Sequence, residues 1–376
     1  MEAFYSLPAP ELVLRLIVPV LIILTVIVFI HELGHFLAAR WCGVGVRVFS
    51  VGFGPELFGF TDRHGTRWRF SAIPLGGYVK FVGDENEASQ TDRDALAKMS
   101  DEERRRSFAA KGVGARAFIV AAGPAANFIL AIAIFAVVFA VNGRQISLPR
   151  VDTVVAASPA EAAGFQAGDV IVSIDGTAVD SFADVIRVVS FSGGAPLQIG
   201  VERGSETLVL TATPERREET DAFGNESERW ILGIQHAATA DDIRTERYSV
   251  PGAVGLAVAE TWFIAERTVS YLVGIIVGRE SVDQLGGPVR VAEISGQLST
   301  LGILPLINLT AFLSISIGLI NLFPVPILDG GHLMFFAFEA IRGRPLSERA
   351  QDIGFRIGFV AVVMLMIFTT VNDIMR

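Results

Sequence analysis

The sequence predicts a multi-pass α-helical membrane protein that carries one small β-rich domain outside the lipid. Of its 376 residues, 51% are hydrophobic and the mean hydropathy is +0.49, which is too apolar for a soluble protein. Charged residues still make up 19% of the chain, too many for helices in lipid alone. The net charge of −9 argues against nucleic acid as a partner. A single cysteine, Cys42, allows no intrachain disulfide.

Four segments are apolar enough and long enough to cross a hydrocarbon core of about 30 Å. They are residues 14–39, 117–141, 301–323 and 353–371. Lys and Arg are concentrated in loops 41–113 and 324–352, so the positive-inside rule places both loops in the cytoplasm. Both termini and segment 143–297 are then expected on the other side. The first span has no basic n-region or small-residue cleavage site before it, so we expect it to be retained.

A candidate metal-binding motif lies in the cytoplasmic half of the first span. His31 and His35 are one helical turn apart, the spacing that two neighbouring zinc ligands need. Glu32 is within reach of the same face and can act as a general base toward water. A charge in hydrocarbon costs about 2.5–3.5 kcal/mol on insertion scales. A chance occurrence of this motif inside a span is therefore a poor explanation.

A second motif, Asn-Leu-Phe-Pro-Val-Pro-Ile-Leu-Asp-Gly-Gly-His, follows the third span at 321–332. Its prolines end a helix and its glycines allow a tight turn. Irregular backbone at membrane depth persists only where it is buried in protein or lines a cavity. The predicted topology puts Asp329 at the depth of His31 and His35, as a third zinc ligand that leaves one position open for water. His332 is a rival ligand, to which we assign a supporting or structural role.

The first cytoplasmic loop predicts a β-hairpin. Segments 68–73 and 78–82 flank a turn at 74–77, Pro-Leu-Gly-Gly. The hairpin is either an ordinary loop structure or an edge that holds an unwound substrate near the site. Further along, 101–106 predicts a solvated helix face whose three arginines can meet anionic membrane lipid.

Segment 143–237 predicts a small β-rich domain. Short strands are expected at 151–155, 170–174 and 208–210, with turns such as Asp175-Gly176 between them. The following segment, 238–297, includes an apolar stretch at 250–278 that suggests a fifth span.

Three charges, Glu260, Glu266 and Arg267, argue against a fifth span. Another crossing would also put Asp329 on the opposite side of the membrane from His35. We therefore predict amphipathic helices on the outer face at 238–297. The membrane halves are then 1–142 and 298–376.

The two motifs, in this order and topology, resemble the site-2 protease family of intramembrane zinc metalloproteases, and the bacterial RseP-like branch fits best. Further similarity lies in 76–80, 123–128 and 285–289. Residues 158–171 look like the helix-to-strand signature of a bacterial PDZ domain, which takes a peptide C-terminus as an added strand. Many RseP relatives carry two tandem PDZ domains, whereas 143–237 has room for one. The domain is therefore expected either to bind peptide or only to limit access.

The resemblance implies a Zn²⁺ site with His31, His35 and Asp329 as ligands and Glu32 as catalytic base. The residues expected to contact substrate are Asn321, Gly76, Gly77 and Tyr78. It implies a location in a bacterial inner membrane, with the PDZ-like domain periplasmic and the active site toward the cytoplasm. The implied substrates are single-span membrane proteins such as anti-sigma factors, trimmed beforehand by another protease, and also remnant signal peptides.

Two other classes of function compete with this interpretation. The chain could be a catalytically inactive membrane scaffold that binds partners through its PDZ-like domain, although its ligands and base are intact. It could instead be a transporter or channel. Against that, the ionisable residues converge on one depth and no inverted repeat is evident.

Overall fold

The computed structural model describes residues 9–83, 99–220, 226–237, 243–278 and 286–375. Its contacts separate two compact units. The helical unit comprises Glu2–Phe135, Ala257–Ala265 and Leu285–Arg376, and the β-rich unit comprises Ala136–Leu256 and Glu266–Gln284.

The helices of the described residues follow in chain order. They are α1 (Ala9–Trp41), α2 (Asp101–Arg105), α3 (Val113–Asn142), α4 (Pro159–Ala163), α5 (Phe182–Ser190), α6 (Val250–Ile276), α7 (Pro288–Thr300), α8 (Ile303–Leu322), α9 (Asp329–Arg342) and α10 (Glu348–Met375).

The strands of the described residues form five separate sheets. They are β1 (Val46–Thr61), β2 (Arg67–Phe81), β3 (Arg144–Ser147), β4 (Thr153–Val154), β5 (Val170–Ile174), β6 (Thr177–Ala178), β7 (Leu197–Arg203), β8 (Glu206–Ala212), β9 (Glu215–Thr220), β10 (Glu226–Ile231), β11 (Ile234–Gln235) and β12 (Ile243–Glu246).

Four of the described helices are long and apolar enough to cross a membrane. These stretches are Leu14–Trp41, Val113–Asn142, Ile303–Leu322 and Arg349–Met375. Each overlaps one of the four predicted spans, as expected of a multi-pass α-helical protein. Length and composition do not show on which side of a membrane each end of a helix lies. The predicted orientation of the spans therefore stays a prediction.

The segment predicted to hold amphipathic helices, 238–297, contains the long helix α6 and most of the shorter helix α7. Helix α6 is continuous over Val250–Ile276 and keeps Glu260, Glu266 and Arg267 in its middle, and it is not among the four candidate spans. The shorter α7 packs against α1 and α10 inside the helical unit. The backbone N–H of Gly287, just before α7, donates to Asp373 Oδ1 of α10 over 2.9 Å.

Helices α1 and α3 cross with their backbones in contact. A Cβ added at Gly34 of α1 would overlap the carbonyl oxygen of Ala122 and the Cβ of Ala126 on α3. Small residues allow such close crossings where lipid offers no hydrophobic drive for association. This crossing lies between His31 and His35 along α1, so it brings α3 directly against the HExxH motif.

The loop between α1 and α2 forms a sheet of two long strands, β1 and β2, which pair antiparallel around a turn at 62–66. Asp62 organises this turn by accepting hydrogen bonds from the N–H groups of His64 (2.8 Å) and Thr66 (3.0 Å). Burial opposes ionisation of Asp62, but these bonds outweigh it and lower the pKa of the carboxyl to about 2.

The predicted turn at 74–77 is wrong, because β2 runs continuously through it. Phe49 of β1 lies opposite both Trp68 and Val79, so the two halves of β2 pair with the same stretch of β1 and not with each other. Gly76, with φ of +107°, lies between the two halves of β2 that pair with β1. The proline and glycines therefore mark a bend in one strand.

Aromatic side chains fasten this sheet to α1. The rings of Phe49 and Trp68 stack with centroids 4.4 Å apart, and Phe36 of α1 meets Phe49 edge-on at 5.6 Å. Phe49 is fully buried. Contacts of this kind contribute about 0.5–1.5 kcal/mol each beyond their buried area, which holds the sheet in one position beside the motif.

The β-rich unit is built on a four-stranded sheet in the order β6-β5-β7-β8. Asp175 and Gly176, with φ of +48° and +77°, form the two-residue turn between β5 and β6, as the sequence predicted. Ser158 caps α4 by accepting from the N–H of Glu161. Its core is a cluster of buried apolar side chains that includes Val151, Ile171, Ile199, Val201 and Leu232.

This unit extends beyond the predicted end at 237. Strand β12 pairs antiparallel with β3, with Ile243 opposite Ser147 and Glu246 opposite Arg144. The predicted boundary fell short because four residues of alternating character beside a long helix give a weak strand signal.

Candidate metal centre

Two imidazoles on adjacent turns of α1 form the base of the candidate site. The Nε2 atoms of His31 and His35 are 3.2 Å apart, and their rings meet edge-on at 84°. Both side chains are nearly buried. Their i and i+4 positions put them on one face, so the Nε2 atoms of the two rings converge without any distortion of the helix.

Asp329 enters this pair as the first residue of α9. Leu328 before it is extended, with φ −99° and ψ 164°, so the chain changes direction after α8. A Cβ at Gly330 would overlap the carbonyl oxygens of Leu322 and Phe323 at the end of α8. Only glycine fits this return, and it delivers Asp329 to within 3.1 Å of His31 Nε2 and 3.5 Å of His35 Nε2.

Gly123 of α3 leaves the space that these ligand atoms occupy. A Cβ there would overlap His35 Nε2 and lie 2.9 Å from His31 Nε2. The backbone of α3 therefore forms one wall of the site. No larger residue fits at this position without displacing a ligand.

The three residues fit a zinc ion. Each offers one ligand atom, and these atoms lie within 4.8 Å of one another. Asp329 Oδ2 is buried and, although His31 Nε2 is 3.1 Å away, it has no hydrogen-bond partner of suitable geometry among the described residues. Two imidazole nitrogens and one carboxylate oxygen are a donor set typical of catalytic zinc sites.

A cavity of about 240 Å³ opens at the three ligands, and Glu32 lines it with them. The carboxylate of Glu32 accepts a hydrogen bond from the backbone N–H of Val79. Gly77 approaches Glu32 so closely that an added Cβ would lie 3.3 Å from its Cγ. Strand β2 thus borders the cavity and contacts the candidate base directly.

Residues 19–365 match the model of peptidase family M50. The chain belongs to peptidase family M50. It is 52% identical to a protein of Agrobacterium fabrum over 95% of each chain, and 51% identical to one of Rhizobium meliloti over 94% of this chain and 95% of that one. Both are provisionally named zinc metalloproteases. Metalloprotease MmpA of Caulobacter vibrioides is 39% identical over 96% of each chain.

Among solved structures, the PDZ domain of the SdrC-like protein from Listeria monocytogenes is similar to part of this M50 chain. The match covers 23% of this chain and 82% of that domain, at 25% identity and a TM-score of 0.18.

The M50 chain places three of the four residues expected to contact substrate at the cavity. Gly77, Tyr78 and Asn321 line it. Asn321 Nδ2 donates to the Ile317 carbonyl of its own helix over 3.1 Å, so its side chain is partly held. Gly76 is not among the lining residues in the described part of the chain and lies against the ring of Phe53.

His332 borders the same cavity without joining the ligands. Its ring centroid is 5.3 Å from that of Phe355 on α10, and within the described residues the cluster of close ligand atoms does not include it. The supporting or structural role of His332 stays a prediction.

Sequence reasoning missed two residues of this M50 site, Gly123 and Asn127, both on α3. Asn127 is fully buried and its Nδ2 lies 3.3 Å from His31 Nδ1. An amide inside an apolar span is itself a signal of function, and it stands within the stretch at 123–128 that carried part of the family resemblance.

The β-rich unit has a cavity of its own, of about 580 Å³. It lies beside α5 and the segment 230–237, which includes β11. Strand β11 pairs with β4 on one side. A helix facing a strand across a cavity is the arrangement that admits an added peptide strand.

Proposed function

We propose that this M50 chain is an intramembrane zinc metalloprotease that hydrolyses peptide bonds in single-span membrane proteins. One observation carries the proposal: His31, His35 and Asp329 converge within 4.8 Å beside a cavity that also contains Glu32. The names of its relatives support zinc as the metal. Helix α1, one of the four candidate spans, contributes His31, His35 and Glu32, which supports cleavage at membrane depth.

His31, His35 and Asp329 would hold the ion. When bound, zinc supplies Lewis-acid polarisation of the scissile carbonyl and makes water a better nucleophile. Glu32 takes a proton from the attacking water and delivers it to the leaving amine nitrogen. The Val79 N–H donates to the Glu32 carboxylate and so orients it within the cavity.

Strand β2 is suited to hold the substrate extended. A helical substrate hides its amides in internal hydrogen bonds, so it must unwind before water can reach a carbonyl carbon. Pairing with a strand edge replaces the bonds that unwinding breaks. Gly77 and Tyr78 of β2 border the cavity, so a strand paired here would present its backbone to Glu32.

We place the protein in a bacterial inner membrane, with its active site toward the cytoplasm and the β-rich unit on the periplasmic side. In that topology the β-rich unit would act on which substrates enter and would take no part in the chemistry. Substrates trimmed by another protease would pass, whereas bulky ectodomains would not. Peptide binding is a second candidate role, favoured by the 580 Å³ cavity beside β11.

Metal analysis joined to a cleavage assay separates the competing functions. The full chain, purified in detergent, is expected to contain one zinc per molecule and to cut a single-span reporter within its span. Bound zinc without cleavage of any membrane peptide would favour an inactive scaffold. Absence of zinc, with a folded protein, would contradict the proposal and favour a transporter or channel.

A further inference from the structure

We propose that Asn127 positions His31 as a zinc ligand, by accepting a hydrogen bond from the His31 Nδ1–H through its side-chain oxygen. This inference rests on the zinc site of the proposed function. It concerns a positioning residue on α3 that does not itself touch the ion or the substrate.

The geometry of the three ligands fixes which nitrogen of each imidazole faces the metal. The atoms that approach Asp329 are His31 Nε2 and His35 Nε2. A nitrogen that binds metal has no proton, so in the neutral ring the other nitrogen carries it. Nδ1 of both histidines must therefore be a donor when the site is loaded.

His35 already satisfies this requirement. Its Nδ1 is 2.9 Å from the carbonyl oxygen of Ile119, and a carbonyl can only accept. The second ring nitrogen of a metal-binding histidine is commonly tied in this way, which fixes the tautomer and the ring orientation. His31 needs an equivalent acceptor at its own Nδ1.

Asn127 is the side chain at that position. Its amide nitrogen lies 3.3 Å from His31 Nδ1, an arrangement that places two donors face to face once Nδ1 is protonated. Half a turn of the amide about its last side-chain bond exchanges nitrogen for oxygen and moves no other atom. The oxygen, Oδ1, is buried and has no hydrogen-bond partner among the described residues as it stands. The rotation gives it one.

The surroundings of Asn127 keep its side chain beside His31. Ser314 Oγ of α8 donates to the Asn127 carbonyl over 2.9 Å. Gly318 of α8 comes so close that an added Cβ would lie 3.3 Å from Asn127 Cβ. Both Asn127 and Ser314 are fully buried. Asn127 therefore lies between the helix that carries His31 and the helix that leads to Asp329.

Two substitutions separate an acceptor role from a donor role. Asn127→Leu removes both polar atoms at similar size, whereas Asn127→Asp keeps acceptors and removes the N–H. The zinc affinity of the full chain in detergent is measured by competition with a chelator of known affinity. We expect Asn127→Leu to weaken zinc binding about 10–100-fold, the usual effect of losing such a supporting contact. Asn127→Asp is expected to bind zinc at least as tightly as the unmodified chain.

Ser314→Ala is the matched control, since it loosens Asn127 backbone packing without touching His31. A loss in Ser314→Ala equal to that in Asn127→Leu would mean that only packing matters, and would overturn the proposal. Asn127→Asp as weak as Asn127→Leu would overturn it too, by showing that the N–H is what counts. Should Asn127→Leu fail to fold, weaker zinc binding by Asn127→Asp than by the unmodified chain would still overturn the proposal.

The experiment also separates this inference from the function on which it rests. An unmodified chain that binds no zinc contradicts the proposed function itself. An unmodified chain that binds zinc, with Asn127→Leu equal to it, contradicts only the role of Asn127.

Discussion

The backbone N–H of Val79 donates a hydrogen bond to the carboxylate of Glu32. On its other side the same residue lies opposite Phe49 of β1, whose ring packs against Phe36 of α1. The candidate base is therefore held by a sheet that is itself fastened to the helix carrying the base. A substrate strand that paired with β2 here would therefore lie next to Glu32, at a position fixed by these contacts.

Glu32→Gln should abolish cleavage and leave zinc content and folding unchanged, because it removes the proton acceptor and keeps the shape. A loss of about 10²–10⁴-fold is typical for a general base. The measurements are cleavage of a single-span reporter and metal content of the same preparation. Glu56→Gln is the control that should stay active. Glu56 lies on β1 and forms a partly exposed ion pair with Arg67. Near-normal proteolysis by Glu32→Gln would sink the mechanism.

Asp329→Ala should lower zinc occupancy, because two imidazoles alone lack the third ligand. We expect a larger loss of affinity than the 10–100-fold typical of residues that only support a ligand. His332→Ala is the companion variant and should keep its zinc. If Asp329→Ala retains zinc while His332→Ala loses it, the ligand assignment is wrong and His332 is the third ligand.

Gly123→Ala should displace zinc although it adds one methyl group. That methyl would overlap His35 Nε2 and lie 2.9 Å from His31 Nε2, where the ion and its ligands must be. Gly114→Ala on the same helix is the matched control, since an added Cβ there meets nothing within 4 Å. Zinc content and thermal stability of both variants test this, and equal zinc in both would contradict the close approach of α3.

Asp169→Asn should weaken the β-rich unit. Arg203 donates to both carboxylate oxygens, over 2.7 and 2.8 Å, and these bonds outweigh burial and lower the pKa of Asp169. Because the folded-state pKa lies below the unfolded value, this stabilisation is present above the unfolded pKa and is lost as pH falls through the folded one.

Hydrogen exchange of peptides from β7 and β8 in the full chain measures that effect. At neutral pH, protection in Asp169→Asn should fall about tenfold or more, as expected for a lost hydrogen bond to a charged group. The difference from the unmodified chain should vanish in strong acid. Glu206→Gln, exposed in the same hairpin, should leave protection unchanged; an equal drop there would remove the Asp169 explanation.

Removal of most of the β-rich unit should permit cleavage of substrates with bulky ectodomains. The pairing of Ser147 with Ile243 suggests the design: a two-residue turn in place of 148–242 closes β3 and β12 into a hairpin. Cleavage of long and pre-trimmed versions of one substrate is compared for intact and shortened enzyme. A stably folded shortened enzyme that still rejects the long form would make peptide binding the better role for this unit.

Local spacing was enough to predict part of the site. The i and i+4 positions of His31 and His35 fix their geometry on any helix, and membrane depth alone put Asp329 near them. Asn127 and Gly123 could not be found this way, because their role depends on how α3 crosses α1. That crossing is set by small residues such as Gly34, whose spacing does not say which helix they will meet.

In the sheet of β1 and β2, a local signal predicted the wrong strand pairing. Proline and glycine at 74–77 correctly marked a change of direction in the chain. These residues do not show which segment the strands on either side of them will pair with. Both halves of β2 found a longer partner in β1, which offered more backbone pairing and the aromatic contacts of Phe49. Tertiary packing overrode the local hairpin signal.

The candidate ligands of this site come from two elements far apart in the sequence, His31 and His35 from α1 and Asp329 from α9. During synthesis the first helix leaves the ribosome long before Asp329 has been translated. Until then only two imidazoles are available, and they hold zinc weakly. We therefore expect the nascent chain to be inactive until Asp329 has been translated. If these three residues are the zinc ligands, the complete site exists only after α9 has been made and Asp329 lies beside His31 and His35.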